Sequence, residues 1–96
     1  MALKCVARRM AGGKQHEHIA TLWYRDDDWA GAEGSKTRAE MVTYIENYGT
    51  TSVWCPDRDP AKTGAWVHVN SNGHVKYVQT VADGRWTDNL LSLPER

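Results

Sequence analysis

Only one segment of this chain carries both a helix start and a helix stop. Thr37, with Glu40 three residues on, forms a capping box, Met41, Val42, Ile45 and Tyr48 then recur at helical spacing, and Gly49 supplies a C-terminal stop. A chain of 96 residues closes a single core, so residues 1–96 form one domain. With one helix available, the remaining apolar side chains must be buried by strands.

The strand-like runs are 3–9, 18–24, 51–55, 65–69 and 75–80, each rich in β-branched, aromatic or alternating apolar residues. Gly12-Gly13 separates the first pair, and Asn70-Ser71-Asn72-Gly73 joins the last two through a run suited to the positive φ of a hairpin turn. Residues 26–34 are acidic and punctuated by Gly and Ala, which is loop composition. The expected fold is α+β, an antiparallel sheet of about five strands with one helix on one face, in the order ββαβββ. One helix covers one face only. Alternation in the fourth run puts Trp66 and His68 opposite Val67 and Val69, so if the valines face the helix, Trp66 does not.

The C-terminal stretch is the most distinctive. Tyr77-Val78-Gln79-Thr80 is followed by Asp83-Gly84 and then by Asp88-Asn89-Leu90-Leu91-Ser92-Leu93-Pro94. This succession resembles the signature of a family of short bacterial and phage proteins, the domain-of-unknown-function family numbered 3892. The resemblance implies no activity. In physical terms Asp83-Gly84 is a tight turn, Asp88 is placed to cap the following turn by accepting backbone N–H groups, and Leu90, Leu91 and Leu93 fold back to plug the edge of the core.

Lys+Arg and Asp+Glu both number 12, which removes the global positive field that bulk nucleic-acid binding draws on. The charge is uneven, however. Residues 1–25 hold Lys4, Arg8, Arg9, Lys14 and Arg25 against Glu17 alone, and the run Asp26-Asp27-Asp28 follows as a solvated charge run without the ligand spacing of a calcium loop. Plain alternation puts Arg9 on the face of Cys5 and Ala7 and Arg8 on the other, with Arg25 nearby on the second strand. Cys5 and Cys55 lack metal or disulfide spacing and read as buried free thiols, giving no nucleophile. No run approaches a membrane span or a secretion signal, so the expected location is the cytoplasm.

Two features carry chemistry. In a strand, His16 and His18 of His16-Glu17-His18 would share a face and could hold a metal with His68, His74 or a carboxylate, although no further ligand stands at diagnostic spacing. The second is the aromatic set Trp23, Trp29, Trp54, Trp66 and Trp86, with four tyrosines and no phenylalanine. Packing accounts for part of it; the rest suits rings that bind a partner or stack on a base, with arginines for an anionic group. The resulting expectation is a non-catalytic binding module, a homodimer or small oligomer without cofactor. It would hold a small anionic ligand such as a nucleotide through Arg8, Arg9, Arg25, Trp54, Trp66, Arg85 and Asn89, and bind neither membrane nor bulk nucleic acid. The alternatives are a protein-interaction module with a Trp-rich surface and a metal-dependent hydrolase using His16 and His18.

Overall fold

The computed structural model describes residues 3–26, 32–57, 59, 61–82 and 84–96. Among them the chain forms strands β1 (Leu3–Met10), β2 (Ile19–Asp26), β3 (Glu33–Thr37), β4 (Val53–Cys55), β5 (Ala65–Ser71), β6 (Lys76–Ala82) and β7 (Arg85–Thr87). One α-helix, α1 (Arg38–Tyr48), and two 3-10 turns, His16–His18 and Asn89–Ser92, complete it. The capping box is present in both directions, with the Glu40 N–H donating to Thr37 Oγ1 at 3.3 Å and the Thr37 N–H donating to Glu40 Oε1 at 2.9 Å. Gly49, at φ 95°, ends the helix with its N–H on the Ile45 carbonyl. Met41, Val42 and Ile45 are buried, while Tyr48 departs from its expected place in the core and is 68% exposed.

All seven strands join one sheet in the order β3-β2-β1-β4-β5-β6-β7. The α+β class holds, but the sheet is mixed rather than antiparallel, because β1 and β4 run parallel. The reason lies in α1, which carries the chain from edge strand β3 back over the sheet, so β4 starts from the same end as β3 and β1. Two strands were not legible. β3 begins in the last two residues of the segment expected to be loop, of which residues 27–31 fall outside the described residues, and runs on to the helix cap at Thr37; β7 is only three residues long.

The helix packs against β2 and β3 on one side and β5 and β6 on the other, so the sheet curls around it. Its concave face holds the core, with Cys5, Ile19, Leu22, Met41, Val53, Cys55, Val67, Val78 and Leu90 all at 1% exposure or less. The hairpin forms as expected: Ser71 pairs with Lys76, Asn72 Oδ1 accepts the His74 and Val75 N–H groups, and Gly73 sits at φ 91°.

The C-terminal stretch closes an edge. Because β4 pairs only with Leu3 and Lys4, the rest of β1 would present open backbone there. The tail fills it: the Arg8 N–H donates to the Pro94 carbonyl at 2.9 Å and the Arg96 N–H to the Arg8 carbonyl at 2.8 Å. Leu90 and Leu93 are buried below, as expected of the clasp, whereas Leu91, also expected in the core, is only partly buried against it. Asp88 does not cap with its side chain; its backbone carbonyl accepts the Leu91 N–H. Leu90→Ala is expected to cost about 2–5 kcal/mol and lower the melting temperature by about 8 °C or more, and removal of residues 90–96 to prevent cooperative unfolding in a thermal scan.

Candidate functional site

The convex face of the sheet is organised by strand register. Residues paired across neighbouring strands point to the same face, and the pairs Glu33–Arg25, Arg25–Lys4, Lys4–Trp54, Trp54–Trp66, Trp66–Val81 and Val81–Trp86 share members in succession. One side chain from each strand therefore forms a single row across the whole sheet, charged at the β3 end and aromatic at the β7 end. The alternation expected for β5 holds: Val67 is fully buried, whereas Trp66 on the opposite face is 40% exposed and Trp86 48%.

The row is held by its neighbours. Lys4 Nζ lies 5.5 Å from the centroid of the Trp54 ring, a cation–π contact at the junction of the two halves. Gly64 lies against the same ring; a Cβ there would come within 2.7 Å of Trp54 Cε3 and 2.6 Å of the Cys55 carbonyl oxygen. A shallow cavity of about 250 Å³ opens between Trp54 and Trp66, lined also by Thr63, Gly64 and Ala65. The His68 ring stands edge-on to Trp86 at 6.4 Å.

Further along the same face, Trp23 carries two guanidinium groups, with Arg9 Cζ at 5.1 Å and Arg96 Cζ at 5.3 Å from its ring centroid. Arg9 Nε donates to the Arg96 carbonyl at 3.1 Å, while Arg96 Nη1 pairs with Glu33 Oε1 at 2.5 Å. Glu33 also faces Arg25 Nε at 3.9 Å, and its carboxyl is held below its ordinary range, first by the hydrogen bond from Arg96. One carboxylate thus serves two of the guanidinium groups.

The structure brings only some of the expected binding residues together. Arg9, Arg25, Trp54 and Trp66 share the convex face, whereas Arg8 belongs to the scaffold. The expectation that Arg9 shares the face of Cys5 is corrected: a β-bulge between Cys5 and Ala7 inverts the alternation, so Arg8 pairs with the buried Leu22 and Arg9 with Thr21. Arg8 Nε donates to the Leu93 carbonyl at 3.1 Å. Arg85 is exposed on β7 opposite Ala82, and Asn89 opens the second 3-10 turn, half-buried. Trp29, Asp27, Asp28 and Asp83 lie outside the described residues. Thr80, fully buried, is explained by packing: its hydroxyl meets both the carbonyl and the hydroxyl oxygen of Thr87.

His16-Glu17-His18 is a 3-10 turn, not the start of a strand, so the two imidazoles do not share a strand face. Among the described residues no group of three or more His, Cys, Asp or Glu is placed to hold a metal ion. His16 is buried, and its Nε2 lies 3.9 Å from Asp88 Oδ1 without a hydrogen-bond partner. Both cysteines are free and buried; burial pushes the Cys5 thiol up to about 12 and raises Cys55 further, so neither is a thiolate near neutral pH.

Two expectations follow. Gly64→Ala should dislodge the Trp54 ring, visible as a shift in tryptophan emission, with a loss of about 1–3 kcal/mol from overpacking. The His16 pKa lies below its ordinary value of 6.5, chiefly because burial disfavours the charged form, with Asp88 and Glu17 opposing that shift. Below that ordinary value the unfolded chain takes up the proton more readily, so stability is fully present above it and declines as pH falls through the lowered folded pKa. Melting temperature should therefore fall between pH 7.5 and about 5 in the wild-type protein and fall less in His16→Gln.

A family model described as a protein of unknown function (DUF3892) matches residues 4–94, and the chain belongs to that family. No curated protein and no solved structure matches it.

Proposed function

Starting from membership of a family without an assigned activity, we propose that the protein is a non-catalytic binding module whose convex sheet face takes a flat anionic ligand, a nucleotide in its simplest form. The observation that carries this reading is the row itself, in which Trp54, Trp66 and Trp86 present rings beside Lys4 and Arg25. Tryptophan faces are sequence-tolerant stacking platforms for bases, worth about 1–3 kcal/mol each, and the adjacent cations suit a phosphate. The buried thiols of high pKa and the scattered histidines support a binding rather than a catalytic reading.

A second reading is favoured by the exposure of Trp66 and Trp86 on an open face: the same surface packs against a protein partner or a second copy of the chain. Tryptophan fluorescence separates the two. Nucleotides should quench emission saturably, Trp66→Ala should weaken that binding by about fivefold or more, and the melting temperature of the variant should stay close to the wild type. Absence of quenching by nucleotides and oligonucleotides of every length, with a dimer mass by light scattering that Trp66→Ala returns to monomer, would replace the ligand reading with the second.

A further inference from the structure

We infer that the natural ligand of this face is a short single-stranded nucleic acid lying across the strands, not a mononucleotide; the inference rests on the reading of the convex face given above. Base-binding and phosphate-binding groups are set apart along a line instead of closing around one pocket. Among the described residues the cavity between Trp54 and Trp66 is lined only by Thr63, Gly64 and Ala65 besides the two rings, none of them charged. Lys4 stands one strand away, its Nζ 5.5 Å from the centroid of the Trp54 ring, with Arg25 a further strand beyond. In the other direction a second platform, Trp86, lies two strands from Trp66.

At about 4.8 Å between strands, Arg25 and Trp86 are separated by about 24 Å, far more than one nucleotide covers. Stacked bases rise about 3.4 Å each, so the row matches roughly seven stacked nucleotides, and fewer once side chains splay the bases apart. A chain of bases with repeating phosphates can occupy both ends at once. A duplex cannot, since its bases are already stacked and paired, and the equal numbers of acidic and basic residues provide no broad cationic surface for its backbone. A protein partner would use the aromatic half but would also meet the guanidinium groups of Arg9 and Arg96 over Trp23, which suit an acidic surface.

The test is a length series on the full chain, following tryptophan fluorescence with thymidine monophosphate, three-, six- and twelve-residue oligothymidylates and a twelve-base-pair duplex. Affinity should rise at least tenfold from the monophosphate to the hexamer and then level off, and the duplex should compete at least tenfold more weakly than the dodecamer. With two or three phosphates neutralised, raising salt from 50 to 200 mM should weaken hexamer binding about 7- to 20-fold. Lys4→Gln and Arg25→Gln should each reduce that salt dependence, and Trp66→Ala and Trp86→Ala should each weaken the hexamer about fivefold or more while leaving the salt dependence in place. A monophosphate that binds as tightly as the hexamer overturns this inference and leaves the nucleotide reading standing. Equal binding of duplex and single strand overturns it as well, and no binding at any length overturns both.

Discussion

The backbone pairing along β1 is the constraint on which the rest of the structure depends. On one edge the strand is paired with β2 along its length; on the other it is divided between the short β4 at Leu3 and Lys4 and the C-terminal tail at Arg8. Without the tail, β1 would offer unpaired N–H and C=O groups in the middle of the sheet, beneath which Leu90 and Leu93 fill the core. The same strand places Cys5 in the core and Lys4 in the row on the convex face, so core and surface are registered by one set of hydrogen bonds. The half-buried Arg8, bound to the carbonyl of Leu93, joins the clasp to the strand it protects.

Local signals in the sequence were strong where the physics is local. The capping box and Gly49 locate the helix, and Asn72 with Gly73 locates the hairpin, because each depends on groups within a few residues. What escaped depends on pairings between distant segments. β3, Glu-Gly-Ser-Lys-Thr, has no apolar side chain and is a strand only because β2 offers an edge to it. The β1–β4 parallel pair depends on where α1 delivers the chain, and the bulge near Val6 that exchanges the faces of Arg8 and Arg9 has no marker such as glycine. His16-Glu17-His18 turned out to be the end of the β1–β2 connection, with its strand starting only at Ile19.

The candidate site shows the same division. The alternation of Trp66 against Val67 was readable in one strand, and the two residues do lie on opposite faces. That Trp54, Trp66 and Trp86 fall on one line with Lys4 and Arg25 needed the register of six strand pairs, and a slip of one residue in any of them would turn a member of the row into the core. Gly64 gains its meaning only from the Trp54 ring and the Cys55 carbonyl beside it.

The balanced charge of the chain bears on this face differently from how it bears on a whole protein. At physiological ionic strength, fields fade over about 8 Å, so a ligand on the row senses Lys4 and Arg25 and not the helix carboxylates Glu40 and Glu46. Balanced overall charge therefore removes long-range steering while leaving the local cations Lys4 and Arg25 in place on the face. Glu33 limits what that face offers an anion, since it is shared between Arg25 and Arg96 and competes with any incoming phosphate for both. A ligand held here gains more from stacking on the rings than from charge, because rings lose little to salt and exposed ion pairs contribute only about 0–1 kcal/mol each. On the proposed reading, the tryptophans would supply the affinity of the row and the cations would set which end of a ligand lies where.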